Sequence, residues 1–508
     1  MHETKRKNFR DAVRWAYVSR VAQRCIALLL TFVLAGILGP KNFGVVAMAT
    51  AYILFIEMFV AQGMAAAIVQ RKDLAREHLD SVFWLVLAAA ALLTGASIVV
   101  APWWASINGL PELGAVISFL SISIPINALT IVHTALRQRE MDFRTLALLS
   151  GASSIIAGAV GVMMALLGCG VWSLVAQQLI RSALWSAALW KISPWRPRLR
   201  FSFRHMRALF GVSSGMLVSR IGEYAASQSD AILMGIFFGP VAVGLYRMAE
   251  RLMTTLLDMA SRSLQAVSVP HFSSLQDDTD ALRRAVLSCI RLSASITIPA
   301  MAVIAAVSDP LMAVLGEKWM PAAAVLKIVV IMGIAKAVTF FTDPLLLARR
   351  RTWTIALLAW SLGILTAATL GTVGFMMKEA ATEHQIISIA LAHTTIFVAF
   401  YGGASIVLAR RLCHVSLRQF AAAIMPGLAA GLAATLIAAA ISTSVGPPQF
   451  APALELVLIS APAAVSAVLM LVLLDPSLRA LAGNALRFLS HPQMKGALGS
   501  FARGRLGR

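Results

Sequence analysis

The chain has 508 residues, 59% of them hydrophobic and 13% charged, with a mean hydropathy of +0.79 and a net charge of +21. A soluble globular domain carries roughly a quarter charged residues, so the composition excludes one and describes a polytopic membrane protein. Apolar runs of about 20 residues recur along the chain in place of alternating segments of about 10, which excludes a β-barrel and leaves an all-α bundle whose helices satisfy their own backbone groups.

In chain order, the basic start from Lys5 to Arg14 leads into an apolar segment without a small-residue cleavage site, which predicts a retained first helix and no secretory signal peptide. Fourteen transmembrane helices are predicted, over 15–38, 43–69, 81–101, 113–136, 146–167, 170–190, 208–235, 240–267, 284–307, 321–347, 353–375, 385–408, 418–441 and 453–474. With the N-terminus placed in the cytoplasm, the inner segments 5–14, 71–76, 137–144, 191–207, 283–284, 349–351, 410–418 and 479–508 hold 31 Lys and Arg. The outer loops hold 3, namely Lys41, Lys318 and Lys378. Basic residues are retained on the cytoplasmic side, so the split supports the count and places both termini in the cytoplasm. Much of the positive charge is then topology, and no nucleic-acid partner is called for. The outer loops are too short for a folded domain. The longest inner connection, KISPWRPRLRFSFRHMR at 191–207, reads as a basic linker lying at anionic headgroups.

Residue n resembles residue n+200. Val18-Ser19-Arg20 falls on Val218-Ser219-Arg220, Gly39-Pro40 on Gly239-Pro240, Gly44 on Gly244, and Met48-Ala49 on Met248-Ala249. A fainter echo sets Asn127–Thr130 against Lys336–Thr339. Each half holds six spans, an even number, so the two insert the same way up as parallel repeats with a substrate path at their interface. The expected organisation is a six-helix lobe over 1–207, its repeat over 208–412, and two extra helices with a basic cytoplasmic tail over 413–508.

Ten basic residues remain inside the spans: Arg20, Arg24, Arg181, Arg220, Arg247, Arg251, Arg262, Arg291, Lys327 and Lys336. Six acids join them away from the span ends: Glu57, Glu223, Asp230, Glu250, Asp258 and Asp343. A Lys, Arg or Asp at mid-bilayer costs about 2.5–3.5 kcal/mol. Ten basic side chains facing lipid would cost about 25–35 kcal/mol, beyond a typical stability of about 5–15 kcal/mol. Most must therefore face a wet cavity, find partners or snorkel. Arg247, Glu250, Arg251, Thr254, Asp258, Arg262 and Gln265 step by 3 or 4 and form one polar stripe. Arg220, Glu223, Tyr224, Ser227 and Asp230 form a second, and Arg20, Arg24 and Thr31 share a face. These repeat-equivalent stripes are expected to face each other across a central, mildly cationic cavity. Snorkelling stays open for Arg20 and Arg24, and so do purely structural pairs for Arg220 with Glu223 and for Asp258 with Arg262. Intramembrane acids often carry protons or coordinate sodium. Glu57 has no basic neighbour one turn away in its own helix and leads the ion-coupling candidates, followed by Asp230, Asp258 and Asp343. For each acid an ion pair between helices is the alternative.

GVSSG at 211–215 matches the G-x-S-x-G elbow of hydrolases but lacks the strand–turn–helix context. With GIFFG (235–239) and GLAAG (427–431) it reads as a small-residue packing face. Pro125, Pro299, Pro344, Pro426 and Pro462 lie inside spans and are expected to kink them. Cys25, Cys169, Cys289 and Cys413 lack metal or redox spacing. No phosphate-cradling loop and no H-E-x-x-H motif occurs, so no metal, cofactor or ATP-hydrolysing activity is expected.

The stretches LGPKNFGVVAMAT (38–50), AQGMAAAIVQRKDL (61–74), RPRLRFSF (196–203), SDAILMGIFFGPVAVGLYRMAERLM (229–253) and PHFSSLQDD (270–278) resemble the oligosaccharide-lipid flippases of bacterial polysaccharide synthesis, within the multidrug/oligosaccharidyl-lipid/polysaccharide exporter superfamily. The resemblance implies a non-enzymatic transporter of the bacterial inner membrane that moves an undecaprenyl-pyrophosphate-linked oligosaccharide outward by alternating access. It implies that Arg20, Arg24, Arg220, Arg247 and Arg251 attract the pyrophosphate, with H⁺ or Na⁺ coupling possible. The implied partners are membrane lipids and the glycosyltransferases and polymerase of the same pathway. An ion-coupled drug exporter of the same superfamily is the alternative; it favours an acidic or apolar cavity. A membrane glycosyltransferase or polymerase needs a larger loop with catalytic carboxylates than this chain offers.

Overall fold

A computed structural model describes residues 2–61, 64–71, 73–445 and 451–474; side chains are described from residue 23 onward, apart from 203–220, 260–263 and a few single positions. Helices joined by short connections make up the described residues, with no strand among them. The first half of the chain runs α1 (His2–Ala61), α2 (Met64–Gln70), α3 (Arg76–Ile107), α4 (Pro111–Ser121), α5 (Ser123–Ala128), α6 (Ile131–Arg139), α7 (Phe143–Leu166) and α8 (Val171–Ile192). It continues through α9 (Phe203–Ser274), α10 (Thr279–Ala306), α11 (Ser308–Leu315), a 3₁₀ turn (Glu317–Trp319), α12 (Pro321–Thr339), α13 (Thr342–Ala348) and α14 (Thr352–Met376). The remainder is α15 (Thr382–Ile396), a π-helical turn (Phe397–Gly402), α16 (Gly403–Cys413), α17 (Leu417–Val445) and α18 (Pro452–Leu474).

Eleven segments among the described residues are long and apolar enough to cross a bilayer, which makes this a multi-pass membrane protein. The difference from the expected fourteen has physical sources. Gln23–Val60 and Ile221–Met259 each count once, yet each bends where the sequence predicts two spans. The third is α8, whose Gln177, Gln178, Arg181 and Lys191 make it polar for a span.

The two bends share one cause. Proline lacks the N–H for the helical ladder and disfavours helical backbone in the residue before it. That residue is Gly39 in α1 (φ 73°, ψ 173°) and Gly239 in α9 (φ 79°, ψ −175°), a conformation closed to residues with a Cβ. Beyond the bends α1 and α9 cross in contact. A Cβ on Gly44 would strike the carbonyl of Pro240, and a Cβ on Gly244 would strike the carbonyl of Pro40. The contact is reciprocal, with backbone against backbone. Close by, Trp319 is buried, donates to the carbonyl of Ala35 at 3.0 Å, and sets its ring edge against Phe43.

Lipid tails are as apolar as the side chains, so helices associate here by close packing rather than by escape from water. GLAAG shows it: Gly427 lies on the backbone of Ala294 and Gly431 on Ile298, joining α17 to α10. Ala434, Ala438, Ala463 and Ala467 continue this seam into α18. Among the five prolines, Pro125 and Pro344 lie in short helices beside breaks in the helical run, whereas Pro299, Pro426 and Pro462 sit inside continuous helices.

Candidate functional site

The crossing of α1 and α9 leaves a cavity of about 650 Å³, walled by both helices with α7, α8 and α12. Its charged lining is Arg181, Arg247, Arg251 and Lys336 against Glu250. Thr31, Thr50, Ser154, Gln177, Gln178, Ser227, Gln228 and Thr254 add neutral polar groups. The step of 3 or 4 predicted for α9 delivers Arg247, Glu250, Arg251 and Thr254 to this one wall.

The four cations are not equivalent. Arg247 is tied within α9: it donates to Asp230 at 2.9 Å, to Glu250 at 2.6 Å and to Gln228 at 2.9 Å. Asp230 is fully buried behind the wall, and its Oδ2 has no hydrogen-bond partner among the described residues. Lys336 stands over the ring of Phe397, 5.3 Å from the centroid. Beside this group the buried Tyr246 hydroxyl meets His393 Nδ1 at 2.8 Å. Arg181 and Arg251 are different. Both are exposed toward the cavity, and among the described residues neither has a carboxylate within ion-pair distance.

The remaining predicted residues spread around this centre. Arg24, 46% exposed, pairs with Asp258 at 2.7 Å and so joins α1 to α9. Glu57 accepts from Asn127 Nδ2 at 2.8 Å, linking α1 to α5 away from the cavity lining. Asp343 accepts from the Tyr401 hydroxyl at 3.2 Å. The side chains of Arg20, Arg220 and Arg262 lie outside the described residues. Among the described residues no group of three or more His, Cys, Asp or Glu could hold a metal ion. The structure therefore brings Arg247, Arg251 and Asp230 together, sets Arg24 with Asp258 across the two long helices, and leaves Glu57 and Asp343 apart. Arg181 is the functional residue that spacing alone does not single out, although Ser173, Gln177 and Arg181 step by four along α8 and carry the same signal as the stripe in α9.

The cavity is uneven at repeat-equivalent positions. Leu30, Ala47, Thr50 and Ala51 in α1 correspond, at the offset of 200, to Asp230, Arg247, Glu250 and Arg251 in α9. The α1 wall is thus nearly uncharged where the α9 wall carries the ions.

The Arg24–Asp258 contact has a measurable consequence. A double-mutant cycle with Arg24→Ala and Asp258→Ala, read as thermal stability in detergent, should give a coupling of about 0.5–1 kcal/mol for so exposed a pair. Strictly additive effects would show that the contact does not hold the two helices together.

A bundle of helices crossing a membrane, with a basic cavity between two matched, bent helices, defines a transporter-like architecture. The profile of the polysaccharide biosynthesis protein family matches residues 33–324, and the chain belongs to that family. It is 27% identical to the succinoglycan biosynthesis transport protein ExoT of Rhizobium meliloti (strain 1021) over 389 residues, covering 76% of this chain and 78% of that one. It is 22% identical to the lipopolysaccharide biosynthesis protein WzxC of Escherichia coli (strain K12), covering 67% and 70%. Among solved structures, the lipid II flippase MurJ in an inward closed conformation matches with a TM-score of 0.69 at 13% identity, covering 89% of this chain and 98% of that one. An inward-facing MATE family multidrug transporter of the MOP superfamily matches with 0.60 at 14% identity, covering 79% and 99%. At these identities the two structures speak for the fold.

Proposed function

We propose that this protein is a flippase that carries an undecaprenyl-pyrophosphate-linked oligosaccharide from the cytoplasmic to the periplasmic leaflet for surface polysaccharide synthesis, by alternating access. The observation that carries the reading is the pair Arg181 and Arg251, two guanidinium groups facing one cavity, neither with a carboxylate within ion-pair distance among the described residues. A planar guanidinium binds phosphate oxygens in a bidentate way, and two of them suit a pyrophosphate. The hydroxyl and amide side chains around them suit sugar hydroxyls, and the relatives named for succinoglycan and lipopolysaccharide synthesis supply the glycan class. In this reading lobes 1–207 and 208–412 rock about the α1–α9 crossing, with 413–508 outside them, and both termini lie in the cytoplasm. The exporter of cationic drugs is disfavoured, since unpaired guanidinium groups repel its substrate.

The test is reconstitution. Proteoliposomes holding the full chain should expose a fluorescent undecaprenyl-pyrophosphate oligosaccharide to an outside quencher faster than empty liposomes do. Equal rates with and without protein would end the proposal.

Coupling is assigned to Glu57, with Asp230 and Asp343 next. Glu57 has a neutral partner, Asn127, and no ion pair among the described residues, which leaves its proton or sodium occupancy free to change. Glu57→Gln should flatten the dependence of transport on an imposed H⁺ or Na⁺ gradient while leaving insertion normal. A gradient series that the variant follows as the parent does would make Glu57 structural.

A further inference from the structure

We propose that the linker between α8 and α9 is a docking surface for the headgroups of anionic glycerophospholipids. Residues 193–202 form neither helix nor strand, turn at 198–200 where the Arg200 N–H donates to the Arg198 carbonyl at 2.7 Å, carry Arg196, Arg198 and Arg200, and contain no acid. The linker is strapped to α3. The Arg198 N–H donates to Asp80 Oδ1 at 3.2 Å, and the Ser202 N–H to Ser81 Oγ at 3.0 Å. In return Trp84 donates to the Arg198 carbonyl at 2.8 Å and Arg76 to the Arg196 carbonyl at 3.3 Å. All four anchors lie within the first turns of α3, itself long and apolar enough to span. The strap therefore sits where a span enters the membrane. Trp84, Trp190 and Trp195 pack there around the buried Phe83 and give the strap a rigid base.

The side chains divide the work. Arg196 folds inward, donating to the carbonyls of Trp190 and Trp195 and lying over the Trp190 ring. Arg198 and Arg200 are exposed, and among the described residues neither has a carboxylate within ion-pair distance. Asp80, the acid beside them, is buried and turned to the strap's backbone. Between the two arginines stands Leu199, 88% exposed. Water serves the guanidinium groups and not the leucine; a phospholipid serves both, with its phosphate for Arg198 and Arg200 and its acyl region for Leu199. Because the backbone is already pinned, little ordering opposes binding. The surface is separate from the cavity and does not depend on what the cavity carries.

The full chain, in nanodiscs of phosphatidylcholine doped with phosphatidylglycerol, is released into mild detergent and weighed by native mass spectrometry. Arg198→Gln/Arg200→Gln should lower retained phosphatidylglycerol on the order of 30-fold, which is about 1 kcal/mol for each arginine, with retained phosphatidylcholine unchanged. Arg198→Lys/Arg200→Lys should keep much of the binding, and Leu199→Ser should weaken both lipids to a smaller degree. Arg410→Gln/Arg411→Gln, the same charge change at another exposed basic pair, should have no comparable effect. An unchanged phosphatidylglycerol count in the glutamine variant, or an equal loss in the Arg410/Arg411 variant, would overturn the assignment. An unaltered melting temperature in pure phosphatidylcholine confirms that each variant is folded.

Discussion

Replacing Arg181 and Arg251 together with Ala will reduce glycan export by at least about a hundredfold while the chain still inserts. Each charge-assisted hydrogen bond contributes about 1.5–3 kcal/mol, and two of them reach that factor. Because neither side chain has a carboxylate partner among the described residues, their removal strands none of the described buried acids and should not lower the amount of folded protein. Arg247→Ala is the contrasting variant. It strips the partner from Asp230, which is fully buried, and from Glu250, and breaking a buried pair costs about 3–5 kcal/mol. That variant should lose folded protein as well as transport. Measured surface polysaccharide together with membrane abundance separates the two cases. Normal export from the Arg181/Arg251 double variant would remove these residues from the substrate path.

The second large effect lies at the helix crossing. Gly44→Val or Gly244→Val places carbon against a backbone carbonyl of the opposite helix, which has no rotamer to change. Overpacking costs about 1–3 kcal/mol where side chains can yield, and here the backbones themselves must separate. Each variant should melt well below the parent in detergent, and the two should be similarly severe because the contact is reciprocal. A parent-like melting curve for either would show that α1 and α9 do not depend on this approach.

Much of this arrangement was legible in residue order, for reasons that can be named. Gly39-Pro40 and Gly239-Pro240 reveal bends because proline acts on its own neighbour, a local rule. The stripe Arg247–Glu250–Arg251–Thr254 reveals a cavity wall because helical spacing is local too. What stayed hidden depends on distant partners. Nothing near Arg24 points to Asp258, and Glu57 gives no hint of Asn127. Asp258 shows the limit: its same-helix neighbour Arg262, which lies outside the described residues, was legible, whereas its partner Arg24 on another helix was not. The count of spans differs because length and hydropathy treat a bent helix as one object and pass over a polar one such as α8.

The uneven cavity has a consequence for how cargo travels. Sister positions in α1 and α9 share geometry and not charge, so an anion admitted between them has one favoured wall rather than a midline. In the proposed cycle a phosphate drawn to the α9 flank would ride with that half as a passenger while the other half swings past, a lopsided division of labour between two matched helices.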